Sequence, residues 1–117
     1  MTVITDRDGS GLCVLIPAYR PSCRLIEVVE QLVSKFSGYL IIIDDGSGVE
    51  FSPIFAECSS HERTVVIRNA VNLGKGAALK HGINYALTHL DVTGIVTADA
   101  DGTWPAPIGW SGLNVSA

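Results

Sequence analysis

The chain alternates between short, wholly apolar runs and longer stretches in which apolar residues return every three or four positions. Leu12–Ile16 is apolar throughout and closes at Pro17, which reads as a buried β-strand. Ser22 can cap a helix, and beyond it Leu25, Val28, Val29, Leu32 and Phe36 recur at i, i+3, i+4, i+7 and i+11. This spacing predicts a helix with one apolar face, stopped near Gly38. Tyr39–Ile43 is a second unbroken apolar run, ended by Asp44-Asp45-Gly46-Ser47-Gly48. A short helix is expected from Pro53 to about Cys58. Thr64–Ile67, rich in β-branched residues, predicts a third strand. Leu79, Ile83, Ala86, Leu87 and Leu90 mark the apolar face of a helix that starts near Lys75. Gly94–Thr97 predicts a fourth strand, closed by Ala98-Asp99-Ala100-Asp101-Gly102.

Strands that carry no polar alternation belong in a sheet covered on both faces, and strands that alternate with helices belong to parallel βαβ units. The expected fold class is therefore α/β: a Rossmann-like, three-layer α/β/α arrangement around a mainly parallel sheet. Residues 1–10 are polar and predict a flexible arm, and residues 11–103 hold the domain. Residues 104–117 combine two Pro, two Gly and two Trp without a period and predict an irregular tail.

Composition narrows the possibilities. With 117 residues and 47% apolar side chains the chain suits one small packed domain or a piece of a larger one. Eight basic residues against twelve acidic ones, with no basic stripe, argue against a nucleic-acid partner. Cys13, Cys23 and Cys58 are odd in number and not in a zinc spacing, and Cys13 falls inside the first apolar run. That usage fits a reducing, cytoplasmic compartment. The first residues lack the apolar stretch of a signal peptide, and no run reaches the roughly 18 apolar residues of a membrane span. A location peripheral to a membrane stays compatible with this pattern.

The polar clusters fall at strand ends, where ligands of open α/β sheets bind. Asp99 and Asp101, one residue apart, can hold a hard divalent cation that completes its shell with phosphate oxygens and water; an acidic turn is the plainer reading. A calcium loop is ruled out, since its register would put Thr97 and Ile108 where carboxylates belong. Asp44-Asp45 can receive hydroxyls of a base or ribose, or can cap a turn. Tyr19, after Pro17-Ala18, can stack on a flat base or simply line a rim. Asn72-Leu73-Gly74-Lys75-Gly76-Ala77-Ala78 opens a helix with glycines and a lysine, which suits a diphosphate or a tight helix–sheet contact. It is neither a Walker A loop nor the glycine fingerprint of dinucleotide folds. His61, His81 and His89 form no ligand pair and read as surface or half-buried residues. A phosphate-accepting receiver domain also places acids at strand ends, but there they follow the first strand, and here Pro-Ala-Tyr does.

Taken together, Val14-Leu15-Ile16-Pro17-Ala18-Tyr19, Ile43-Asp44-Asp45-Gly46-Ser47, Asn69 with Asn72–Ala78, and Ala98-Asp99-Ala100-Asp101-Gly102 resemble family 2 glycosyltransferases of the GT-A fold. The resemblance is strongest to the dolichyl- or polyprenyl-phosphate sugar synthase branch and covers residues 12–104. It implies a nucleoside-diphosphate sugar donor of the UDP or GDP type and a Mg²⁺ or Mn²⁺ cofactor. It implies, too, a metal-dependent transfer with inversion, with a membrane lipid phosphate as an acceptor. By the same resemblance Pro17, Ala18, Tyr19, Asp45, Lys75, Asp99 and Ala100 bind the nucleotide. Asp99 and Asp101 form the metal-binding DxD pair, Asp101 the more direct ligand. Arg20-Pro21 departs from the Asn-Glu common after the tyrosine. Residues 102–117 contain no Asp, Glu or His to act as the acceptor base. The expectation is thus the nucleotide-binding half of a truncated enzyme, with no catalytic base of its own and inactive alone. The competing expectation is a non-catalytic nucleotide-binding module that self-associates through an uncovered sheet surface.

Overall fold

The computed structural model describes residues 11–35 and 37–101. The arm 1–10, Phe36, residues 102–103 and the tail 104–117 lie outside them, so the expectations placed there are not addressed by the fold. The element order is β1 (Leu12–Ala18), α1 (Arg24–Lys35), β2 (Tyr39–Asp45), a 3-10 turn (Val49–Phe51), α2 (Ser52–Ser59), β3 (Thr64–Asn69), α3 (Lys75–His89) and β4 (Gly94–Thr97). The four strands form one sheet in the order β3-β2-β1-β4, with every pairing parallel. The expected α/β class is observed.

Alternate residues of the central strands feed two cores. Val14, Ile16, Leu40 and Ile42 pack under α1 and α2, through Leu25, Val28, Val29, Leu32, Phe55 and Cys58. Cys13, Leu15, Ile41 and Ile43 face the other way, against Ala78 and Ala86 of α3. Each large apolar side chain so buried contributes about 1.5–3 kcal/mol. The unbroken apolar runs follow from this: both faces of β1 and β2 are covered. The chain steps from β1 through β2 to β3 along one face. It then crosses back by α3 on the other face and lays β4 beside β1. This is the 3-2-1-4 order of doubly wound sheets, with its switch point between β1 and β4.

Three strand ends and one helix face differ from expectation. β1, β2 and β3 run past their apolar stretches because Ala18 pairs with Asp44, Asp44 with Arg68 and Asp45 with Asn69 in the parallel ladders. Ser22 does hold the start of α1, its Oγ accepting the Arg24 N–H at 3.1 Å. On α3 the buried residues are Ala78, Gly82 and Ala86, whereas Ile83 and Leu87 face solvent, Leu87 at 68% exposure. The helix lies so close to the sheet that a methyl on Gly82 would come within 2.9 Å of Ile43 Cδ1. Small residues, rather than the largest apolar ones, therefore define the packed face.

The cysteines separate cleanly. Cys13 and Cys58 are buried and Cys23 is exposed. Burial pushes the Cys13 thiol up to about 12. Burial, reinforced by Glu57 and Glu30, pushes Cys58 up to about 11. Thiolates are the reactive form. A thiol reagent should therefore label Cys23 alone in the native protein and all three cysteines in denaturant. Rapid native labelling of Cys13 would contradict this packing.

Candidate functional site

The carboxyl ends of the strands meet around an open hollow of about 190 Å³, lined by Pro17, Ala18, Tyr19, Asp45, Asn72, Gly74, Lys75 and Asp99. It draws on the end of β1, the end of β2, the segment between β3 and α3, and the residues after β4, and so sits at the switch point. Pro17, Ala18, Tyr19, Asp45, Lys75 and Asp99, singled out from the sequence, are brought together here. Ala100 packs against the core under α1 instead. Asp101 is exposed and does not line the hollow; its carbonyl accepts a hydrogen bond from Arg24 Nε at 3.2 Å.

The two acids at the end of β2 divide their work. Asp44 is 1% exposed. Its Oδ1 accepts the Ser47 N–H at 2.9 Å and its Oδ2 accepts Arg68 Nε at 3.0 Å. This is the turn-capping role expected of an aspartate before Gly-Ser. Asp45, 3% exposed, reaches across to the segment before α3. Its Oδ1 accepts from Asn69 Nδ2 and from the Leu73 N–H, and its Oδ2 from the Gly74 N–H, all at 2.9 Å. Asn72 Nδ2 donates to the Asp45 carbonyl at 3.3 Å. Burial alone would raise the Asp45 carboxyl, but the bonds from Leu73, Asn69 and Gly74 outweigh it and hold the group below its ordinary value of 3.8. These bonds fill three of the roughly four acceptor positions of a carboxylate.

Gly46 allows the two segments to meet. Its φ is +75°, and a Cβ there would lie 2.3 Å from the Val71 carbonyl carbon and 2.4 Å from the Asn72 nitrogen. Beside it, Ser47 Oγ accepts the Arg20 N–H at 2.8 Å, tying the end of β2 to the turn after β1. Arg20 takes a left-handed φ of 51°. Its guanidinium lies 5.8 Å from the Tyr19 ring centre and 5.9 Å from that of Phe51, with Glu50 at 3.6 Å. Arg20 thus braces the Tyr19 ring, which remains 51% exposed beside the hollow.

Lys75, the first residue of α3, pairs through Nζ with Asp99 Oδ1 at 3.1 Å. Both side chains are about half exposed or more, so the pair itself adds little stability. A bound anion can recruit the lysine and a bound cation the carboxylate. Among the described residues no cluster of three or more His, Cys, Asp or Glu side chains could hold a metal ion by itself. Asp99 and Asp101 offer hard oxygen donors only. Such a pair fits Mg²⁺ or Mn²⁺ when ligand phosphates and water supply the remaining positions.

The residues that sequence reasoning left out of the site are Asn72 and Gly74, which line the hollow, and Asn69, which joins Asp45 to α3. Their signal was present in the Asn-rich segment before Lys75. Among the described residues no helix is long and apolar enough to cross a membrane.

The fold and hollow define a doubly wound α/β domain whose polar groups converge at its switch point. The chain belongs to glycosyl transferase family 2, whose family model matches residues 13–107. It is also similar to the uncharacterized protein MJ1222 of Methanocaldococcus jannaschii, with 33% identity over 99 residues. That match takes in 85% of this chain and 39% of the relative, so the chain spans well under half of the protein it resembles.

Proposed function

We propose that this chain is the donor-binding part of an inverting, metal-dependent glycosyltransferase that moves a sugar from a nucleoside-diphosphate sugar to an acceptor. The observation that carries the reading is the single hollow in which Tyr19, Asp45, Lys75 and Asp99 meet at the switch point of a family 2 domain. The exposed ring of Tyr19 offers a stacking surface for a base. The remaining acceptor position of Asp45 suits a donor group on the base or ribose. Lys75 and the first amides of α3 favour the diphosphate. Asp99 and Asp101 would hold Mg²⁺ or Mn²⁺, which neutralises charge on the departing diphosphate. In an inverting transfer the acceptor oxygen displaces the nucleoside diphosphate directly and gives its proton to a carboxylate. This reading gives neither acid of the hollow that duty: Asp45 holds the Leu73 and Gly74 amides and faces the nucleoside, and Asp99 is assigned to the metal. The 117 residues are therefore expected to bind donor nucleotide without transferring sugar. A lipid phosphate at a membrane surface is the acceptor class we assign to the whole enzyme.

Calorimetric titration with UDP and GDP tests this reading. One of them should bind with Mn²⁺ and bind far more weakly with EDTA. Asp101→Ala should weaken the Mn²⁺-dependent binding by about tenfold or more, the loss expected for one charged ligand contact. Failure of both nucleotides to bind at millimolar concentration would overturn it. Both edge strands, β3 and β4, are unpaired on one side among the described residues, and self-association would begin at one of them. A sedimentation coefficient that rises with concentration would reveal it.

A further inference from the structure

A chain of polar contacts runs from the middle of α3 to the rim of the hollow. Asn69, at the end of β3, is 7% exposed, and both ends of its amide are engaged. Its Nδ2 donates to Asp45 Oδ1 at 2.9 Å, and its Oδ1 lies 2.7 Å from His81 Nδ1. Because an ionised carboxylate only accepts, Asp45 fixes which end of the amide faces it. The Asn69 oxygen must then face His81, and His81 Nδ1 must carry a hydrogen. A bare Nδ1 would set two lone pairs against each other at 2.7 Å. The same Asp45 Oδ1 also accepts the Leu73 amide, and Oδ2 accepts the Gly74 amide, next to Lys75. Asp45 therefore grips α3 twice: directly at Gly74, before its first residue, and through Asn69 at His81, in its second turn. Two grips fix both the position of the helix along its axis and its rotation about it.

We infer that His81 is a positioning residue for the 70–74 segment and Lys75: as the Nδ1–H tautomer it locks Asn69, which holds the Asp45 carboxylate on the Leu73 and Gly74 amides. The inference concerns the same hollow as the proposed donor site. Its effect on nucleotide affinity rests on that reading; its effect on the segment does not.

Amide hydrogen exchange of the full chain, followed by NMR, tests the inference. In His81→Ala the Leu73 and Gly74 amides should exchange about tenfold faster, the factor expected for losing one hydrogen bond to a buried group. The Val14–Ile16 amides of the central strand should keep their rates. His81→Asn, whose Nδ2 can take the place of Nδ1–H, should restore slow exchange. Long-range ¹⁵N–¹H correlations at pH 8 should show the hydrogen of wild-type His81 on Nδ1. Unchanged exchange at Leu73 and Gly74, acceleration shared equally by Val14–Ile16, no rescue by asparagine, or a hydrogen on Nε2 would each overturn the inference. Titration of the same variants with UDP and GDP in Mn²⁺ should show binding weakened in His81→Ala and recovered in His81→Asn. If neither nucleotide binds even the wild type while the exchange pattern holds, the donor-site reading fails and the positioning role stands.

Discussion

Gly46→Ala is expected to unfold or badly loosen the domain, at a cost of about 3 kcal/mol or more. Two effects combine. An alanine at φ +75° carries the left-handed penalty of about 1–2 kcal/mol. Its Cβ would also sit 2.3–2.8 Å from backbone atoms of Val71 and Asn72, which no side-chain rotation can relieve. Overpacking of this kind costs about 1–3 kcal/mol, and more where backbone must move. Here, moving the backbone means drawing the 71–74 segment off Asp45. That leaves two amides without a partner and a buried carboxylate with Asn69 as its remaining donor. Urea unfolding should show the loss of stability, and any folded fraction should bind neither UDP nor GDP in Mn²⁺. Gly76→Ala is the matched control. Nothing lies within 4 Å of a methyl there, and an alanine inside a helix gains about 0.5–1 kcal/mol over glycine. A Gly46→Ala protein as stable as the wild type would mean that the two segments do not meet as described.

The contrast between these glycines shows what sequence reasoning can reach. The strands were legible because β1 and β2 are covered on both faces, which leaves their apolar runs without alternation. The face of α1 was legible because Leu25, Val28, Val29 and Leu32 are both large and buried. The face of α3 was not. Periodicity weights large side chains, whereas Ala78, Gly82 and Ala86 earn burial by being small enough to let the helix approach Ile43. Ile83 and Leu87 follow the helical period as well as any core pair, yet they point outward. The site was legible as far as strand ends go, since the polar residues that stop each apolar run are the ones the topology gathers. What stayed hidden were contacts between residues far apart in sequence. The resemblance singles out Asp45 over Asp44 for the nucleotide, but only the fold shows that Asp44 caps a turn and Asp45 clasps the segment before α3. Asn69 and His81 meet across 12 positions on different elements, and no spacing rule announces that pair.

Asp45 is where fold and site depend on the same group, so its removal should have the second large effect. In Asp45→Ala the amides of Leu73 and Gly74 and the amide of Asn69 lose their acceptor together. Each unsatisfied buried donor costs about 1–3 kcal/mol, and partial access of water to the rim brings the sum to about 3 kcal/mol. Asp45→Asn keeps an oxygen for one side but turns an NH₂ toward a donor on the other, so it should recover only part of the loss. The acid dependence separates the charge from the shape. The folded carboxyl is held below its ordinary value of 3.8. The unfolded chain therefore takes up this proton first as pH falls. The contribution of the ionised group is present in full above the ordinary value. It diminishes as pH falls from there and is gone once pH has passed through the lowered folded value. Stability measured against pH should show wild type and Asp45→Asn separated by a constant gap above about pH 5, narrowing below 3.8 as the wild-type carboxyl protonates. A gap that stays constant down to the acid limit would show that the three hydrogen bonds do not depend on the charge. Asp45 would then hold the segment by shape alone, and the ionised clasp described above would have to be abandoned.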